Sequence, residues 1–123
     1  MVLQESGEMY LETVYVLSRK KSFIRAKDVS EQMGVTRPSV SRAVHLLKDG
    51  GFLNIKESSG ITLTELGREL AEKLYERYLV MMQYFVTLGV DAETASNDAC
   101  RIEHVISDKT FSELKRHMEV LKQ

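Results

Sequence analysis

The apolar period of this chain changes once and then changes back. Leu53-Asn54-Ile55-Lys56 alternates apolar and polar residues, and so does Ile61-Thr62-Leu63-Thr64, with Ser58-Ser59-Gly60 between them. Two alternating runs around a glycine turn predict a β-hairpin. Upstream, the apolar residues recur at helical spacing. Tyr10, Leu11, Val14, Tyr15 and Leu17 predict a first helix from about Gly7 to Arg19, with Ser6 as its N-cap. A short helix follows near Ala26 to Met33 and ends at Gly34, where glycine accepts the left-handed turn of a tight exit. Thr36 then caps a third helix with Pro38 in its first turn. Val40, Val44 and Leu47 face inward on that helix, which stops at Asp49-Gly50-Gly51.

Helix, short helix, tight turn, helix and hairpin is the order of a winged helix-turn-helix. The third helix turns Arg37, Ser39, Ser41, Arg42 and His45 outward. Its N-terminal end, with Thr36 and Pro38, offers unpaired N–H groups and a positive dipole end suited to phosphate. Serine and arginine there can bond phosphates or base edges in the major groove. Arg25 and Lys27 can straddle the backbone, and the wing tip, Lys56 to Gly60, can lie against the minor groove. A solvated helix of the same composition is the rival reading, and charge distribution weighs against it. The net charge is only −1. Yet Arg19 to Lys48 holds eight basic against two acidic residues, while Leu63 to the C-terminus holds eight basic against eleven acidic. A basic first half joined to an acidic second half points to a polyanion-binding module followed by something else.

After the hairpin a long helix is expected from Glu65 to Leu88, stopped by Gly89, then helices near Ala92 to Ile106 and Asp108 to Leu121. The second half of the long helix is apolar nearly all round, through Tyr78, Leu79, Met81, Met82, Tyr84, Phe85 and Val86. So small a chain can hardly bury such a helix alone, so oligomerisation is expected. The predicted class is therefore mainly α, with a DNA-binding domain at 1–64 and a helical domain at 65–123. At 43% apolar and 28% charged residues, global disorder is excluded. The most apolar stretch, Leu79 to Val86, is too short for a membrane span. A lone cysteine, Cys100, excludes a disulfide framework, and no secretory signal is visible, so a cytoplasmic location is expected.

Asn97-Asp98-Ala99-Cys100-Arg101-Ile102-Glu103-His104 is the most chemical stretch. In a continuing helix, Cys100, Glu103 and His104 share one face, and thiolate, carboxylate and imidazole make a three-ligand metal site. Spacing alone equally fits a buried small cysteine beside a solvated acid–imidazole pair. An enzyme using Cys100 as nucleophile and His104 as base is disfavoured, because neighbours on one helix align poorly for proton transfer and no glycine-rich oxyanion loop accompanies them.

Glu8-Met9-Tyr10-Leu11, the 36-TRPSVSRAV-44 helix and 97-NDACRIEHVISD-108 together resemble the DtxR-like, or diphtheria toxin repressor, family of metal-dependent repressors. The resemblance runs over nearly the whole chain in order. It implies a winged-helix domain, a helical dimerisation domain, and a regulatory metal between the first helix and that domain. It also implies a homodimer on double-stranded operator DNA, repressing metal-homeostasis genes. The iron-responsive branch uses a methionine matched by Met9 and a cysteine, glutamate and histidine matched by Cys100, Glu103 and His104. The manganese branch has aspartate at Met9, glutamate at Cys100 and histidine at Tyr78, and shares Glu12, an additional candidate ligand. Thioether and thiolate favour Fe(II), with Mn(II), Co(II), Ni(II) or Zn(II) as alternatives. The family's ancillary site has histidine, glutamate and histidine where this chain has Tyr78, Met82 and Ser96, so no second family-type site is expected. The chain is expected to be a short form without the SH3-like domain. A metal-independent winged-helix regulator is the remaining rival.

Overall fold

Glycine, proline and cap residues divide the N-terminal half where the sequence predicts, and a distant arginine caps a helix end that the sequence places later. The computed structural model describes residues 3–123. Among them the chain forms α1 (Glu5–Ser18), α2 (Ala26–Met33), α3 (Arg37–Asp49), β1 (Leu53–Lys56), β2 (Gly60–Leu63), α4 (Glu65–Thr87), α5 (Ala92–Ile102) and α6 (Asp108–Leu121). By internal packing one unit ends at Glu72 and a second begins at Lys73, so the division falls inside α4. No helix among the described residues is long and apolar enough to cross a membrane.

In the first unit, α1 starts earlier than Ser6 would cap it. Gln4 is the N-cap and makes no side-chain cap bond, while Glu5 and Glu8 sit in the first turn, where carboxylates complement the helix dipole. Leu11, Val14 and Leu17 are its buried stripe. At α2 the Asp28 carboxylate accepts the Arg25 N–H at 2.8 Å and the Lys21 ammonium at 2.6 Å. Gly34 leaves α2 at φ 71°. Thr36 Oγ1 accepts the Ser39 N–H at 3.3 Å to open α3. Val29, Val40, Val44 and Leu47 meet the α1 stripe, Ile24, Phe52, Leu53 and Ile61 in one core.

The hairpin is antiparallel, with Leu53 opposite Leu63 and Lys56 opposite Gly60. The turn is therefore Glu57-Ser58-Ser59, and Gly60 is a buried strand residue rather than part of an exposed wing tip. The cause is a third partner. Ile24 bridges Gly60 in parallel, and the Ile61 N–H donates to the Ile24 carbonyl at 2.9 Å. The first turns of α4 close the unit, with Gly67 against the Phe52 carbonyl and Ala71 in the core.

In the second unit, Met81, Ala99 and Phe111 form a small core, flanked by Tyr78, Val80, Met82, Phe85, Ile102, Ile106 and Leu114. Asp91 caps α5 by accepting the Thr94 N–H at 3.0 Å, and Ser107 caps α6 by accepting that of Thr110 at 3.1 Å. The α4 face is less buried than its composition predicts. Leu79 and Val86 are exposed on it, Val86 at 45%, leaving apolar surface for a partner subunit.

The predicted helix Ala92 to Ile106 stops instead at Ile102. Arg77, only 7% exposed, caps the carbonyls just past that end. Its Nη1 donates to the Glu103 carbonyl at 3.2 Å and the Ile106 carbonyl at 2.8 Å, and its Nη2 to the Asp108 carboxylate. In a continuing helix those two carbonyls would accept amides four residues on. Here they turn to the guanidinium, and Ser107 opens a new helix.

Candidate functional site

The residues expected to face DNA lie in the first unit. Arg37, Pro38, Ser41, Arg42 and His45 are exposed on α3, and Ser39 is half-buried. A short hydrogen-bonded chain links the start of the helix. Thr36 Oγ1 donates to Ser39 Oγ at 2.9 Å, and Arg42 Nη2 donates to the same Oγ at 3.3 Å. This holds Arg42 alongside the N-terminal turn, where the helix already favours anions. His45 Nδ1 lies 2.7 Å from the Ser41 carbonyl. Arg25 stacks near the Phe23 ring at 5.2 Å, and Lys27 lies 4.0 Å from Glu31. Lys56 is exposed beside the three-residue turn of the wing. The surface can thus present several cations to a phosphate backbone, with polar groups between them to read base edges.

The predicted metal-ligating residues are distributed over both units. Met9 on α1 is 38% exposed, and Glu12, one turn later on the same helix, is half-buried. In the second unit, Glu103 is the C-cap of α5 and 1% exposed, and His104 follows it in the turn, half-buried. Their carboxylate and imidazole each offer a ligand atom within 4.8 Å of the other. Cys100 is exposed on α5 and is not drawn into that close group. α5 ends at Ile102 with Glu103 as its C-cap in helical conformation, so Cys100 lies in the last turn of the helix and Glu103 and His104 at and just past its end.

A carboxylate and an imidazole that reach a common point are the donors a borderline divalent cation takes, and burial of Glu103 strengthens its attraction for a cation. The residues therefore fit a divalent metal. At the positions of the family's ancillary ligands, Tyr78 Oη and Ser96 Oγ are hydrogen-bonded to each other at 2.7 Å, and Met82 packs against the second core.

Sequence reasoning passes over Arg77. Its signal is present in the spacing. Leu74, Arg77 and Met81 fall on one helical stripe, and the outer two are buried, so a charge sits where an apolar residue belongs.

Comparison with known proteins adds the following. Residues 2–61 match the family model described as iron dependent repressor, N-terminal DNA binding domain. Residues 64–123 match the one described as iron dependent repressor, metal binding and dimerisation domain. The chain is 32% identical over 122 residues to an uncharacterised helix-turn-helix-type transcriptional regulator of Methanocaldococcus jannaschii, covering 98% of each chain. It is 30% identical over 118 residues to the transcriptional regulator MntR of Lysinibacillus sphaericus, covering 96% of this chain and 85% of the relative. Among solved structures it is similar to the manganese regulator SloR, with a TM-score of 0.83 and 28% identity over 97% of this chain. The chain spans about half of SloR, 55% of its length.

Proposed function

This chain belongs to the iron-dependent repressor family of metal-dependent transcriptional regulators, and from that premise we propose that it is a cytoplasmic, divalent-metal-responsive repressor of metal-homeostasis genes. It binds operator DNA as a homodimer. Domains at 1–64 and 65–123 divide the work between DNA reading and metal-dependent pairing. Arg25, Lys27, Thr36, Arg37, Pro38, Ser39, Ser41, Arg42 and Lys56 contact DNA. Glu103 and His104 hold the metal, with Met9, Cys100 and Glu12 as further ligands. The observation that carries this reading is the juxtaposition of a buried Glu103 carboxylate and the His104 imidazole within 4.8 Å.

Met9 and Glu12 on the first helix and Cys100, Glu103 and His104 of the dimerisation domain would together hold the metal, as the family resemblance implies, and the metal would supply a cross-link among them. Met9 and Glu12 would then hold the first helix so that both α3 helices of a dimer meet half-sites about one helical turn, near 34 Å, apart. Without it, operator affinity falls by the fraction of dimers in the competent arrangement. By reciprocity, operator DNA tightens metal binding by the same factor.

Fe(II) is the metal that a thioether and a thiolate ligand favour. A second reading, Mn(II), is supported by the exposure of Cys100 outside the Glu103–His104 group, which leaves an oxygen–nitrogen donor set, and by the manganese named for the SloR relative. The deciding experiment is operator binding across Fe(II), Mn(II), Co(II), Ni(II) and Zn(II) under anaerobic conditions. Activation of about tenfold or more, ~1.4 kcal/mol, is expected for the cognate metal. Equal affinity in metal and in chelator rejects the proposal and favours a metal-independent regulator.

A further inference from the structure

We propose that Arg77 is a positioning residue for the metal site: one buried guanidinium shapes the turn that carries Glu103 and His104 and so sets the direction of both ligands. The inference rests on the assignment of those two residues as ligands.

The geometry is specific. Arg77 Nη1 donates to the carbonyls of Glu103 and Ile106, which bracket His104 in the chain. Fixing both carbonyls fixes the backbone path through His104 and the departure of the Glu103 side chain. The guanidinium is fixed in turn. Its Nη2 meets the Asp108 carboxylate, and its Cζ lies 5.7 Å from the centroid of the Phe111 ring. Asp108 is also bonded by Lys73 at 3.0 Å, but that ammonium is half-exposed and touches neither carbonyl in the hydrogen bonds of this network. Placing a cation on the buried stripe of α4 is costly unless it is paired, and here both terminal nitrogens find acceptors. A planar fork with several N–H donors can serve three acceptors at once, and a lysine ammonium cannot reproduce that geometry. Groups that orient ligands through hydrogen bonds tune metal affinity without touching the metal.

The test compares the full-length parent with Arg77→Lys, Asp108→Asn and Lys73→Met. Mn(II) affinity is measured by competition with a chromophoric chelator. The Co(II) absorption spectrum reports ligand geometry, and amide exchange at residues 103–107 is followed in chelator, with no metal bound. Arg77→Lys should weaken Mn(II) binding about 10–100-fold, shift the Co(II) bands and speed exchange in the turn while the dimer persists. Asp108→Asn, which loosens the guanidinium without removing it, should do the same to a smaller, severalfold extent. Lys73→Met should stay within about twofold of the parent, since the carbonyl contacts are intact.

Parent-like affinity and Co(II) bands in a folded Arg77→Lys protein overturn the proposal. Where that variant does not fold, a parent-like Asp108→Asn overturns it equally. A loss in Lys73→Met as large as in Arg77→Lys assigns the effect to charge around Asp108 and also overturns it. If the parent binds neither metal, or Glu103→Gln binds as tightly as the parent, the ligand assignment itself fails and the positioning role falls with it.

Discussion

Ile24 and Gly60 are joined backbone to backbone so closely that a Cβ on Gly60 would lie 2.5 Å from the Ile24 carbonyl oxygen. Gly60 also has φ 72°, a conformation that other residues adopt at a cost. Gly60→Ala should therefore destabilise the chain by about 1–3 kcal/mol, from backbone strain and displacement of the wing. Urea unfolding checks this, and a midpoint equal to the parent's refutes the tether.

Arg42→Ala should weaken operator binding and make the log–log salt slope shallower by about one phosphate contact. Thr36→Ala should act in the same direction but less, because Thr36 holds Ser39 and Ser39 in turn meets Arg42. Salt titrations of binding by fluorescence anisotropy provide the measurement. An unchanged slope for Arg42→Ala would mean that α3 does not face the phosphates.

Glu103→Gln should remove the metal response while the dimer survives. Chelator and metal titrations of operator affinity, with sedimentation to follow assembly, separate these two properties. A normal metal response in this variant removes Glu103 from the ligand set.

Cys100→Ser discriminates between the two candidate metals. If the thiolate is a ligand, Fe(II) and Co(II) activation should fall by about tenfold or more while Mn(II) activation changes little. Equal effects on all metals, or none, would favour the oxygen–nitrogen set.

The acid side of the stability profile follows from three carboxylates. The hydrogen bond from Lys21, followed by the Arg25 N–H, holds Asp28 below the ordinary aspartate range. The Thr94 N–H does the same for Asp91. For Asp108 the largest cause is the hydrogen bond from Lys73, and Arg77 adds to it. Each stays ionised in the folded chain at a pH where the unfolded chain takes up its proton. Their contribution is thus complete above the unfolded carboxyl pKa, near 4, and is lost as pH falls through the lower folded values. Melting temperature should fall below about pH 4, and Asp28→Asn should flatten that fall. A variant profile parallel to the parent's would exclude Asp28 as a contributor.

The legible parts of this chain are those governed by neighbours in sequence. Gly34, Thr36 and Pro38 mark the turn and the start of α3 because each acts within a few residues of itself. The alternation from Leu53 to Leu63 marks the hairpin for the same reason. The start of α1 was less legible, because Glu5 and Glu8 favour an earlier first turn than a capping Ser6 predicts. Gly60 is placed by Ile24, and the carbonyl just past Ile102 is capped by Arg77 from 26 residues upstream. A local pattern carries no trace of either partner. For the candidate site, the nearness of Glu103 and His104 follows from adjacency, whereas the placement of Cys100 relative to them depends on where the helix ends.

The parallel bridge at Gly60 leaves the three residues before it with little to support. Glu57, Ser58 and Ser59 neither join the core nor pair across the hairpin. Their identities can drift, or be rewritten by design, while the scaffold beneath them stays put. That makes this tip a natural place to graft a reporter dye or to retune which promoters the protein occupies.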